Sequence, residues 1–150
     1  MNAAHFWQYF QWLFVQGLGI VALPKFGVAA VLLAAGLVAA LVVQNPFGKG
    51  RWKSSYWFVL TQCLFYPAVI AVGVIFAAGP RRPFDPLPKV PPVADMAMDT
   101  LTVLSLALGI FWIYRLKGLR WITFCFVALQ LLFLCGALFV AGMSITGDWI

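Results

Sequence analysis

Few residues of this chain could carry out acid–base, nucleophilic or metal chemistry. His5 is the only histidine, glutamate is absent, and the aspartates are Asp85, Asp95, Asp99 and Asp148. Bis-histidine haem sites and zinc sites need more ligands than this, and no nucleophile, base and orienting group can be placed together. We therefore expect no enzyme activity, no catalytic residue, no metal site and no cofactor. The cysteines lack a neighbouring ligand and are interpreted as small hydrophobic side chains: Cys63, Cys125 and Cys135.

The uncharged polar residues are more informative, because they recur at helical spacing inside long apolar stretches. In the last stretch, Thr123 and Gln130 lie on a seven-residue line that continues to Ala137 and Ser144. Small residues let membrane helices approach, and amides and hydroxyls prefer a polar partner to lipid. We interpret these lines as helix-packing seams; the alternative is a cavity lined for a lipid, a quinone or a solute. The candidate seam residues are Gln62, Tyr66, Thr102, Ser105, Thr123 and Gln130.

The composition indicates that the solvent of this protein is mostly lipid. Of its 150 residues, 64% are hydrophobic and 9% are charged, whereas a soluble domain has about 25% charged residues. The net charge is +6, but the basic residues are scattered between apolar stretches. That distribution is typical of membrane topology signals and not of a basic nucleic-acid-binding face. We expect one transmembrane domain over residues 1–150, with lipids as partners and no nucleic acid.

Four apolar stretches are long enough to cross a hydrocarbon core of about 30 Å. They cover residues 26–44, 56–78, 97–114 and 121–143, and only Asp99 adds a charge, near one end. The expected fold is therefore an all-α, polytopic integral membrane protein with four transmembrane helices. Because no lysine or arginine precedes Lys25, a secretory signal is not expected and the N-terminal segment should be retained.

Residues 6–23 form an apolar segment that is harder to place. It carries three glutamines together with Trp7, Tyr9 and Trp12, and only Pro24 and Lys25 connect it to the first span. Trp and Tyr favour the membrane interface, so we expect an interfacial helix. The alternatives are a fifth span, or one long kinked helix together with the next segment.

Two features of the first two spans predict local structure. Alanines and Gly36 surround nearly the whole first span, which suits a central position or insertion against a neighbouring protein. Pro67 removes the hydrogen bond to the Cys63 carbonyl, so the second span should kink. Thr61 and Gln62 are expected to help satisfy the freed backbone.

The distribution of basic residues predicts the orientation. Loops 45–55 and 115–120 together hold six lysines and arginines, against four on the opposite side. The positive-inside rule then places both loops in the cytoplasm of a protein in the cell membrane.

The segment 79–96 contains six of the nine prolines and is expected to be an extended, extramembrane Pro-rich loop. At about 3.1 Å per residue it is far longer than a connection between packed helices requires. It is predicted to contact a partner through Arg81, Arg82, Phe84 and Leu87.

These features favour a non-enzymatic accessory or scaffold subunit of a larger membrane protein complex, with other membrane subunits as partners. The alternative is a small channel, carrier or lipid- or quinone-binding membrane protein.

Overall fold

A computed structural model describes residues 3–44, 52–78 and 90–147, and these residues form α-helices joined by short connections. Four helical stretches are long and apolar enough to cross a membrane: Pro24–Gln44, Tyr56–Ile75, Pro92–Arg115 and Arg120–Thr146. The prediction of an all-helical protein with four apolar helices of spanning length is confirmed for these residues. The predicted extended loop 79–96 is wrong at its C-terminal end, because residues 92–96 already belong to the helix that begins at Pro92, and a helix tolerates proline in its first turn. The helices within the described ranges are α1 (Ala3–Val21), α2 (Pro24–Gln44), α3 (Trp52–Cys63), α4 (Phe65–Ile75), α5 (Pro92–Arg115) and α6 (Arg120–Thr146).

The C-terminal helix α6 is the centre of the bundle and contacts each of the other five helices. Its seven-residue line of Thr123, Gln130, Ala137 and Ser144 is buried along its whole length. A main apolar core forms where α6 meets α1 and α4, and it includes fully buried Leu13. The predicted seam on α6 is therefore the axis around which the other helices pack.

The helices that follow residue 52 alternate in direction around α6. Helices α3 and α4 run parallel to α6. The ring of Phe58 lies beside that of Phe126, and further along both spans Gly73 lies against Ala141. Helix α5 runs the other way, since Gly109 lies against Val127 and earlier residues of α5 meet later residues of α6.

Helices α1 and α2 both run antiparallel to α6, so they do not form a hairpin. Tyr9 contacts Ser144, and eight residues later Gly17 lies against Gly136, so α1 follows the second half of α6 lengthwise. A two-residue turn at Ala22 and Leu23 separates α1 from α2.

Helix α2 continues in the same direction along the first half of α6. Gly36 lies near the Cys125 sulfur, and the Gln44 side chain reaches the start of α6 at Ile122. The first leg of the bundle is thus one long broken helix, which is the third arrangement considered from the sequence. Because α1 follows α6 lengthwise, it cannot lie flat in the interface of a membrane that α6 crosses.

The position of α2 contradicts one of the two expectations for the first span, a central place in the bundle; insertion against a neighbouring protein stays a prediction. Ala40 is its only buried residue among those described, and Val31, Val42 and Val43 have 68–82% of their surface exposed. Alanine permits close packing without enforcing it, and α6 takes the central place because its buried face also carries polar residues.

The expected interruption of the second span is present, but the backbone there is satisfied differently. Helix α3 ends at Cys63, four residues before Pro67, and α4 begins at Phe65, two residues before it. The Thr61 hydroxyl donates to the carbonyls of Trp57 and Phe58 at 2.9 and 3.0 Å. The prediction that Thr61 and Gln62 support the freed carbonyl is wrong, because Thr61 bonds one turn earlier and the Gln62 amide bonds to nothing described.

Candidate functional site

Three buried polar side chains lie at one level, near the middle of the bundle. The Ser105 hydroxyl donates to Gln130 Oε1 at 3.3 Å, linking α5 to α6. Gln62 on α3 lies at the same level. The pairs Phe58–Phe126 and Gly73–Ala141 show one constant register between the α3–α4 span and α6, and in this register Gln62 lies level with Gln130. Gln62 and Ser105 are completely buried, and Gln130 is 7% exposed. Three of the predicted seam residues thus converge on one layer.

This layer is incompletely hydrogen-bonded. Among the described residues, no partner is present for Gln62 Nε2, Gln62 Oε1 and Gln130 Nε2. An unpaired polar group in an apolar environment costs about 1–3 kcal/mol by protein mutational data. The layer therefore lowers stability relative to an apolar one.

The remaining predicted seam residues lie elsewhere. The Tyr66 hydroxyl donates to the Phe14 carbonyl at 2.7 Å, which fastens α4 to α1. Thr102 and Thr123 donate to carbonyls one turn back in their own helices, at 2.8 and 2.9 Å. The two threonines are thus satisfied locally and take no part in a shared site.

A second polar contact joins three helices near the C-terminal end of α6. The sequence did not predict that its residues come together. Ser144 Oγ donates to the Gly73 carbonyl at 2.9 Å and lies 3.0 Å from the Tyr9 hydroxyl. Since the serine has one proton and gives it to Gly73, the Tyr9 hydroxyl donates to Ser144. The heptad line of α6 contained Ser144, but an interfacial α1 would not have brought Tyr9 to it.

A cleft with a volume of about 390 Å³ lies between α1, α6 and the junction of α3 with α4. Phe14, Leu18 and Phe133 make its wall apolar, and the polar residues Tyr66 and Gln130 line it as well. It lies beside the incompletely bonded layer, so an apolar molecule with one acceptor group would fit its chemistry. Within the described ranges, no group of three or more His, Cys, Asp or Glu side chains could hold a metal ion.

The outward face of α1 carries an unusual set of polar groups for a helix packed along the bundle. Gln8, Gln11 and Gln16 are all exposed, beside exposed Val15. Gln16 neighbours Gly17, which packs on Gly136. Gly136 lies roughly 15 Å before the end of α6 at Thr146, by a rise of 1.5 Å per residue. We call Gln8, Gln11 and Gln16 the glutamine face.

The predicted partner-contacting residues Arg81, Arg82, Phe84 and Leu87 lie outside the described residues. The ends of loops 45–55 and 115–120 do lie at one end of the bundle, because Gln44 Oε1 accepts from the Ile122 amide at 3.1 Å and the rings of Phe58 and Trp112 are in contact. No protein-family model matches this chain, and neither a curated protein nor a solved structure matches it significantly.

Proposed function

We propose that this protein is a non-enzymatic accessory or scaffold subunit that assembles with other integral membrane proteins. The observation that carries the proposal is the glutamine face of α1. Four apolar helices of spanning length support embedding of the bundle in a membrane, and α1 runs along one of them with its three glutamines exposed.

The position of Gln16 along α6 supports this proposal. If α6 crosses the bilayer, a residue roughly 15 Å from the end of α6 lies below the headgroups, because the hydrocarbon core is about 30 Å thick. An amide at that depth prefers a hydrogen-bonding partner to lipid. A polar residue on a neighbouring membrane helix would satisfy it, and lipid chains would not.

The Pro-rich loop belongs to the same proposal. We propose that Arg81 and Arg82 offer forked donors to carboxylates of a partner and that Phe84 and Leu87 add apolar contacts. In this proposal the protein resides in the cell membrane, with loops 45–55 and 115–120 in the cytoplasm. Six basic residues against four support that orientation.

Native mass measurement after mild detergent extraction tests the proposal. Wild-type protein should leave the membrane with other subunits, and the triple variant Gln8→Leu, Gln11→Leu, Gln16→Leu should leave without them. The matched control replaces exposed residues of α2, Val28, Val31 and Val38, with leucine and should retain the subunits. Wild-type protein that is released from its native membrane only as a monomer or homo-oligomer would refute the accessory role.

A second candidate function rests on the 390 Å³ cleft. The unpartnered Gln130 Nε2 beside it favours a lipid- or quinone-binding protein, or a small channel or carrier that passes such a molecule. A lone protein that retains a lipophilic molecule after extraction, and loses it in the variant Gln130→Leu, would support this function over assembly.

A further inference from the structure

The connection between α5 and α6 concentrates positive charge without a counter-charge. Arg115, Lys117 and Arg120 are all exposed within a few residues of one another. The nearest acidic residue along α5 is Asp99, about 24 Å away by helical rise. That distance exceeds the Debye length of about 8 Å at physiological ionic strength. Within the described part of the chain, these three cations are therefore available to an external anion.

An apolar groove leads to the same end of the bundle. It lies between α2 and α6 and has a volume of about 320 Å³. Its lining residues are Gly36, Ala39, Ala40, Val43, Gln44, Trp121 and Cys125. From Gly36 to its end at Gln44 it runs for about 12 Å along α2. Small residues on α2 leave the groove open, and the hydrogen bond from the Ile122 amide to Gln44 Oε1 fixes its end beside the start of α6.

We propose that this groove and the adjacent cations form a binding site for one anionic phospholipid. One acyl chain lies in the groove, and the phosphate lies against Arg115, Lys117 and Arg120. Arginine binds phosphate oxygens with paired, charge-assisted hydrogen bonds. Trp121 is 67% exposed where groove and cations meet, and tryptophan favours the headgroup level of a bilayer.

Lipid is the occupant that fits both halves of this site. The helix that forms one wall exposes apolar residues outside the groove, including Val38 and Val42 at 60% and 78%, so bilayer lipid has direct access. On α2, the polar lining residue of the groove is Gln44, and its Oε1 already accepts from the Ile122 amide. The rest of that wall consists of glycine, alanine and valine, which offer no polar side chain to a peptide helix. The site rests on the proposed membrane embedding but not on assembly through the glutamine face.

Native mass spectrometry of purified protein exchanged into micelles containing phosphatidylglycerol or phosphatidylcholine tests the site. Wild-type protein should retain phosphatidylglycerol in preference to phosphatidylcholine. A basic residue near a membrane surface contributes about 1 kcal/mol to binding of anionic lipid, which is about fivefold in affinity. Replacing Arg115, Lys117 and Arg120 together by glutamine should therefore lower phosphatidylglycerol retention more than tenfold. The charge control is Lys25→Gln, since Lys25 is exposed at the start of α2, and it should change retention less than twofold.

A second pair of variants tests the groove. Ala39→Phe fills it from the exposed side and should lower phosphatidylglycerol retention several-fold, whereas Ala35→Phe, also exposed on α2 but outside the groove, should not. Equal thermal unfolding of the two variants confirms that both are folded. Equal retention of the two lipids by wild-type protein, full retention by the triple variant, or equal behaviour of the two phenylalanine variants would overturn the proposal. Each of these results leaves the subunit proposal untouched, because assembly is measured separately.

Discussion

Gly73→Ala should destabilise the bundle, because Gly73 marks the closest approach of α4 to α6. A β-carbon at this position would lie 2.8 Å from both the Cα and the Cβ of Ala141. Carbon atoms pack favourably at about 3.5–4.0 Å. Since one of the two opposing atoms belongs to the backbone, a side-chain rotation cannot relieve the clash and the helices must move apart by about 1 Å.

That displacement also acts on the polar contact beside Gly73. The Gly73 carbonyl accepts from Ser144 Oγ at 2.9 Å, and the Ser144 carbonyl accepts from the Ala78 amide at 3.0 Å. Overpacking of a close-packed core typically costs about 1–3 kcal/mol. We therefore expect Gly73→Ala to lower the free energy of unfolding by about 2 kcal/mol.

The measurement is equilibrium unfolding by sodium dodecyl sulfate in mixed micelles, followed by circular dichroism. Gly142→Ala is the matched control, because a β-carbon at Gly142 meets nothing within 4 Å and alanine is the better helix former. Adding Ala141→Gly to Gly73→Ala should restore only part of the loss, since the opposing Cα remains at 2.8 Å. Equal stability of the Gly73 and Gly142 variants would refute the close approach.

Three further predictions test the polar layer, the orientation and the Pro-rich loop. Gln62→Leu should raise the free energy of unfolding by about 1–3 kcal/mol, because it removes two buried unpartnered atoms. Gln130→Leu should change the free energy of unfolding by less than about 1 kcal/mol, because it also breaks a hydrogen bond to Ser105. A destabilised Gln62→Leu protein would show that a partner or ligand satisfies the amide. Single cysteines at Ser54 and Gly118 should resist a membrane-impermeant thiol reagent added outside intact cells, and ready labelling would reverse the topology. Replacing residues 81–92 with a short Gly-Ser linker should leave insertion intact and lower co-purification of other subunits, and undiminished co-purification would remove this loop from the docking surface.

The sequence predicts the buried face of α6 well, although not that α6 is the central helix. A seven-residue recurrence of Thr123, Gln130, Ala137 and Ser144 defines one face, and a face with polar and small residues is worth more against protein than against lipid. All four residues are buried. The number of apolar helices of spanning length is predictable for the same reason, because hydropathy measures the cost of exposing a segment to water.

The path of the first leg could not be read in this way. Hydropathy tells which segments avoid water, but it does not tell which helix lies beside which. The contact of Gly17 with Gly136 depends on two residues that are far apart in the sequence, and neither belongs to an amphipathic pattern. The aromatic and glutamine content of α1 suited a flat interfacial helix equally well, and the small residues of α2 suited a central one.

The polar layer was predictable in part. Helical spacing placed Gln62, Ser105 and Gln130 on inward faces, and the structure brings them to one level. Whether an amide in this layer is hydrogen-bonded depends on the axial register of the packed helices, because a shift of one hydrogen-bond length separates donor from acceptor. A sequence of one chain does not fix that register, so the unpartnered state of Gln62 was not foreseeable.

Photo-crosslinking from position 16 in the native membrane tests the central claim most directly. A photoreactive residue in place of Gln16 should give a discrete adduct with another membrane polypeptide, because a partner subunit is proposed to cover the glutamine face. The same residue in place of Val31, which is 68% exposed on α2, should give lipid adducts alone. Lipid adducts alone from position 16 would contradict the account.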